Sequence, residues 1–303
     1  MMKQSDFQRL VPAHRELFRD FMRRFPTVSC ERAWANLRLY RDSYDWHFAI
    51  LDDHLVMVSF RSGHVQYPVG TELAPPELAA LLRRVAAAGG WAPGCYDVPM
   101  DYPKRHENCA AFFMLKEDPG EADYLYDLSH LAALSGSRLR KKHNQIRQFE
   151  RDFAGRFQVL PLRRDNLAPV LELARELNRR QEDSGSIAEE NLALDRLEAE
   201  FDDPDLELRG IVLEVDQAVA GFSIYSPLGE TAADIHFEKA SREFRNSATM
   251  LTFALVETLL KQGFTTMNRE QDLGDGGLRQ AKHSWDPSEL YCRGTLAVRP
   301  ATV

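Results

Sequence analysis

Residues 208–272 read LRGIVLEVDQAVAGFSIYSPLGETAADIHFEKASREFRNSATMLTFALVETLLKQGFTTMNREQD, and the order of extended and helical patterning in them decides the fold. Three short runs rich in β-branched and aromatic residues, 208–215, 219–225 and 231–237, are separated by the turn formers Asp216-Gln217 and Leu228-Gly229. Such runs predict strands, and connections this short make them antiparallel neighbours. Asn246 then stands where a helix cap belongs, Ala248, Leu251, Leu255 and Leu259 stack on one helical face, and Gly263 supplies a left-handed stop. Residues 265–272 return to a strand pattern. A strand, helix, strand passage of this kind brings two parallel neighbours into an otherwise antiparallel sheet.

Working outward, 156–162 alternates as a strand, Asp165 is placed to cap a helix bearing Leu167, Val170, Leu171, Ala174 and Leu177, and a further helix covers 188–201. Beyond the core stretch, a short glycine-initiated helix leads to a strand at 291–298. In the first half, Phe7, Leu10, Val11, His14, Leu17, Phe18 and Phe21 recur at helical spacing, and Ser29 can cap a second helix. A β-meander follows over 46–69, then a helix opened by Pro75-Pro76 and ended at Gly89-Gly90. Short apolar runs at 95–98 and 111–115 precede an extended stretch over 124–131. The expected fold class is mixed α/β (α+β), and 303 residues suit two domains of about 150 residues each. A boundary near residue 130 gives domains of 1–130 and 131–303.

Hydrophobic residues make up 44% and charged residues 28% of the chain, and no run approaches the ~20 apolar residues that a membrane span requires. The polar start MMKQSDFQRL lacks the apolar core of an export signal, so a cytoplasmic protein without stable membrane insertion is expected. Cys30, Cys95, Cys109 and Cys292 are scattered without ligand spacing, which predicts neither a disulfide framework nor a metal site. A net charge of −8 argues against DNA as a partner while leaving local basic patches free to bind phosphate.

Three segments carry polar residues that packing alone does not require. The helix after residue 137 presents Arg140, Lys141, Lys142 and Arg147, which read either as a solvated outer face or as a contact to phosphate or an RNA backbone. Asn246 and Ser247, at the start of the later helix, are further phosphate candidates through its backbone amides. In the strand 231–237 and just beyond it, alternation puts Asp234, His236 and Glu238 on one face. The stretch from Asn268 to Trp285 is dense in charge, passes through a glycine turn and enters a helix, where Arg279 and Lys282 lie about one turn apart.

Two of these stretches, RLRKKHNQIRQFER and NREQDLGDGGLRQAKHSWDP, resemble bacterial proteins that share the C-terminal domain of phosphatidylglycerol lysyltransferases. The resemblance spans most of the chain. It implies two tandem folds of the GNAT acyltransferase type and, from the lysyltransferases, transfer of an amino acid from aminoacyl-tRNA to a hydroxyl. The long membrane-spanning region of those enzymes has no counterpart in these residues, so the expected acceptor is a small molecule or protein carrying an amine or hydroxyl. Acyl-CoA is the alternative donor, although the stretch Arg242 to Ala248 lacks the glycines of the GNAT pyrophosphate loop. A third reading is a catalytically silent ligand-binding protein, with the N-terminal half as the silent partner. No cofactor beyond the donor is expected.

Either transfer needs a base for the nucleophile's proton and donors for the developing oxyanion. Glu238 or Glu270 is the expected base, with His236 as the alternative and Tyr225 as a donor to the leaving group. Asn268, Arg269, Asp272, Arg279 and Lys282 are expected to bind substrate, and Trp285 to wall the pocket.

Overall fold

The structure is a computed structural model that describes residues 2–181 and 185–300. Its strands are β1 (Gln8–Arg9), β2 (Trp46–Leu51), β3 (His54–Ser59), β4 (Gly94–Pro99), β5 (Phe113–Glu117), β6 (Asp123–Asp127), β7 (Phe157–Pro161), β8 (Arg209–Val215), β9 (Ala218–Leu228), β10 (Ala232–Ala240), β11 (Thr266–Asn268), β12 (Glu289–Tyr291) and β13 (Arg293–Val298). The helices are α1 (Arg15–Arg24), α2 (Trp34–Leu39), α3 (Arg41–Tyr44), α4 (Pro75–Gly89), α5 (Tyr102–Arg105), α6 (Cys109–Phe112), α7 (Leu128–Ala133), α8 (Gly136–Asp152), α9 (Arg164–Arg179), α10 (Gly185–Glu200), α11 (Ser247–Lys261) and α12 (Gly276–His283).

A seven-stranded sheet in the order β12-β6-β11-β10-β9-β8-β7 forms the centre, flanked by three-stranded sheets β1-β2-β3 and β4-β13-β5. The passage β10-α11-β11 supplies a parallel pair, with Asp234 beside Asn268, while β7 to β10 run antiparallel. This is the mixed α/β arrangement that the local pattern predicts. Leu131, Leu139, Phe149, Leu251 and Leu255 pack α7, α8 and α11 on one face of the sheet. Leu39, Leu167, Leu171, Leu194 and Leu197 pack α2, α9 and α10 on the other.

Several local expectations change, among them the extended stretch expected over 124–131, which ends at Asp127 where α7 begins, and the cap expected at Asp165, which lies inside α9. The opening helix begins only at Arg15, because Gln8 and Arg9 pair with β2 while Phe7 and Leu10 enter the core. The meander is one hairpin, β2-β3, followed by isolated bridges at Val65 and Val69. The strand expected over 265–272 stops at Asn268, and the chain then turns out of the sheet through left-handed backbone at Glu270, Leu273 and Gly274. The run 291–298 divides at Cys292: β12 pairs with β6, whereas β13 lies between β4 and β5. Hydrogen-bonded strands therefore cross residue 130 in both directions, with β6 in the central sheet and β13 among first-half strands.

A bulge in β10 alters which side chains share a face. Its register to β9 slips between Ile235 and Phe237, and an inserted residue reverses the alternation beyond it. Ala233 and Ile235 pack with α7, α8 and α11, but Phe237 packs with α9 and α10. Asp234 and His236 consequently face away from the side that Glu238 faces, which corrects the single polar face expected from strict alternation.

Candidate active site

On the α8–α11 side, Glu238 Oε1 accepts hydrogen bonds from Thr252 Oγ1 at 2.9 Å and Arg269 Nη2 at 2.6 Å. Both ion-pair partners are mostly covered, with side chains 14% and 12% exposed. Glu238 Oε2, Arg269 Nη1 and the hydroxyl of Ser223, which lies opposite Glu238 on β9, are buried without a hydrogen-bond partner among the described residues. A buried polar atom left unpaired costs about 1–3 kcal/mol, so a carboxylate oxygen, a guanidinium N–H and a hydroxyl left open together single out this cluster as a candidate site.

Surrounding groups pack around this pair. The Arg269 guanidinium lies 5.8 Å from the centre of the Tyr126 ring, whose hydroxyl donates to the Lys282 carbonyl at 2.9 Å. Lys142 of α8 leans inward, with its ammonium 4.7 Å from the centre of the Trp285 ring. Burial, then the Arg269 and Lys141 charges, push the Lys142 ammonium down to about 8, against the opposing pull of Glu238. Trp285 is buried in the core on this side of the sheet.

The opposite face carries a second constellation. His236 Nδ1 lies 3.5 Å from Asp234 Oδ2 and 3.4 Å from Glu270 Oε1, while Nε2 is 2.8 Å from Ser226 Oγ. Burial first, then the Glu270 charge, push the Asp234 carboxyl well above the usual range. Arg269 and Glu270 follow one another in the chain yet serve opposite faces of the sheet.

Residues expected to bind substrate also brace the loop that joins these faces. Lys282, only 5% exposed, donates to the carbonyls of Arg269 at 2.6 Å, Glu270 at 3.1 Å and Gln271. Asp272 accepts two hydrogen bonds from Arg279, both at 2.8 Å, and one from Tyr124 at 2.7 Å. The Arg279 pair, with help from Tyr124 and the Gly274 amide, draws the Asp272 carboxyl down to about 2. Asn268 donates to Val28 O at 2.7 Å and Asp123 at 2.9 Å and accepts from the Glu270 amide at 2.7 Å. Asn268, Asp272, Arg279 and Lys282 thus shape the loop that presents Arg269.

Of the remaining candidates, Tyr225 accepts from Gln262 Nε2 at 2.9 Å near the C-terminal end of α11 and does not join Glu238. Asn246 donates to Gln148 at 3.2 Å, and the Ser247 hydroxyl turns inward to Ser241 O at 2.7 Å. Arg140, Lys141 and Arg147 stand exposed on α8 with no ion-pair or hydrogen-bond partner among the described residues. Thr252, Ser223 and Tyr126 were missed from sequence. The threonines at 249 and 252, polar within the apolar run of α11, were the available signal for the first.

A mixed sheet with one parallel pair around α11 gives the chain a fold like that of the GNAT acyltransferases. The chain belongs to the family of the phosphatidylglycerol lysyltransferase C-terminal domain, whose model matches residues 22–293. A conserved protein of unknown function from Bacteroides thetaiotaomicron VPI-5482 is 26% identical, with 97% of this chain and 99% of that chain covered at a TM-score of 0.86. L-PGS from Bacillus licheniformis is 15% identical, with 95% and 93% covered at a TM-score of 0.65. A tandem GNAT protein from the clavulanic acid biosynthesis pathway is 11% identical, with 98% and 99% covered at a TM-score of 0.52. No curated protein matches the sequence, and no helix among the described residues is long and apolar enough to cross a membrane.

Proposed function

We propose that this chain is an aminoacyltransferase that moves an aminoacyl group from aminoacyl-tRNA to an amine or hydroxyl of a soluble acceptor in the cytoplasm. The observation that carries the reading is the Glu238–Arg269 pair, buried with one oxygen and one N–H unpaired among the described residues, below a helix whose outer face holds exposed cations. Family membership supports the same donor. In this reading Glu238 takes the proton of the attacking amine or hydroxyl, a bond forms from that atom to the ester carbonyl carbon, and Arg269 and Lys142 hold the oxyanion. The ester C–O bond to the tRNA ribose then breaks, and the proton passes from Glu238 to the departing ribose oxygen. Arg140, Lys141 and Arg147 hold the RNA backbone. The two halves read as tandem GNAT-type folds, 1–130 and 131–303, that exchange strands β6 and β13, with the chemistry in the second.

Acyl-CoA as donor has less support. The amides of Ser247, Thr249 and Met250 at the start of α11 already bond backbone carbonyls, and no glycine lets a pyrophosphate approach closely there. The test offers charged tRNA and acetyl-CoA in parallel with a panel of amine and hydroxyl acceptors. Acceptor-dependent discharge of the tRNA is expected, lowered about 10²- to 10⁴-fold by Glu238→Gln, as loss of a general base predicts. Discharge no faster than without protein, together with a rise in Tm on adding acetyl-CoA, would overturn the proposal in favour of the thioester donor.

A further inference from the structure

The group on the other face of the sheet has no place in that reaction, and its geometry has its own logic. His236 is held by Ser226 at Nε2, so the ring cannot turn away without losing a 2.8 Å contact. In the tautomer whose Nε2 proton is donated to Ser226, the Nδ1 lone pair points at two carboxylates, at 3.5 and 3.4 Å. Both oxygens of Asp234, Nδ1 of His236 and Oε1 of Glu270 are buried without hydrogen-bond partners. The side chains of Asp234 and His236 are wholly shielded from solvent. Among the described residues neither Asp234 nor Glu270 forms an ion pair with a lysine or arginine. Three such groups turned on one another in a buried space repel unless a proton or a metal cation sits between them.

The spacing about the histidine suits a small metal cation. Ligands about 2.0–2.1 Å from a tetrahedral zinc ion lie roughly 3.3–3.5 Å from one another, which is the separation of Nδ1 from each carboxylate oxygen. One ligand atom from each of the three side chains falls within 4.8 Å of the others. Calcium and magnesium prefer six or more oxygens, whereas an imidazole with few ligands suits the zinc class. Ser226, bonded to the far ring nitrogen, is the outer partner that a metal-binding histidine ordinarily has. We propose that Asp234, His236 and Glu270 bind a divalent cation of the zinc class, with a fourth position open on the side where Glu270 reaches solvent. Three protein ligands and one open position suit a cation that also takes water or a substrate oxygen. This proposal is independent of the donor assigned above, because it concerns the opposite face and is read out without any transfer.

The test uses the full chain, stripped with chelator and then titrated with zinc and, separately, with cobalt(II). One equivalent of each is expected to bind, the cobalt complex showing the intense visible absorption of a tetrahedral site. Asp234→Asn and Glu270→Gln, which keep shape while removing charge, are expected to weaken binding about 100-fold or more, with folding checked by circular dichroism. Failure of the folded wild-type chain to take up a stoichiometric equivalent would overturn the proposal, and so would binding that both variants leave unchanged. Nitrogen NMR of His236 reporting a protonated Nδ1 in the presence of zinc would also contradict it, since the proton would then occupy the metal's place.

Discussion

Lys142 ties the basic helix to the site, and its environment gives it a measurable signature. Its ammonium is pushed down to about 8, mainly by burial, so the cation is present below that pH and is lost above it. Binding of an anionic or oxyanion-bearing substrate should weaken as pH rises through about 8, and Lys142→Gln should remove that limb from the profile of kcat/KM. Burying the charged form also costs folding stability below that pH, so Lys142→Met should raise Tm at pH 7 while lowering transfer. A variant that retains the pH limb, or that loses Tm, would contradict this role. The inward turn was partly legible: Lys142 falls three residues after Leu139 and four before Ile146, both buried, which puts it beside the apolar stripe. Lys282 was less so, because nothing local announces that its ammonium closes on carbonyls of residues 269–271.

At the scale of elements, α8 divides its labour between faces. Leu139, Ile146 and Phe149 anchor it to the sheet, and Arg140, Lys141 and Arg147 stand exposed on the outside. Phosphate contacts contribute a salt dependence of about 0.7–0.9 per contact to the slope of log K against log salt. Changing these three to Glu should weaken tRNA binding about 10- to 100-fold and flatten that slope by roughly two to three, measured by filter binding over a salt series. An unchanged slope would remove α8 from the RNA surface. The helices and strands from 208 to 264 were readable because each keeps one period over its length. Strand β10 was the exception, since a bulge is one extra residue in the pairing and leaves no mark on the composition of the strand itself. That single slip separates Glu238 from His236 and Glu270, and so turns one expected site into two.

The whole molecule is held by contacts that no local pattern encodes. Arg293, beginning β13, bonds Asp123 at 2.6 Å and Asp97 at 3.1 Å, and Asp97 also receives Arg32 at 2.9 Å, all buried. Residues 291–298 look like one strand because their side chains do, whereas the break at Cys292 is imposed by pairing with partners far away in sequence. In the proposed reaction the aminoacyl ester is gripped on the α8–α11 face of the sheet. A crystal structure of the full chain with a non-hydrolysable aminoacyl-adenosine amide tests it most directly. The account predicts the carbonyl oxygen within hydrogen-bond reach of Arg269 Nη1, the amine of an acceptor analogue near Glu238 Oε2, and the adenosine directed toward α8. An analogue lodged instead beside Asp234, His236 and Glu270, with the Glu238–Arg269 pair unengaged, would contradict it.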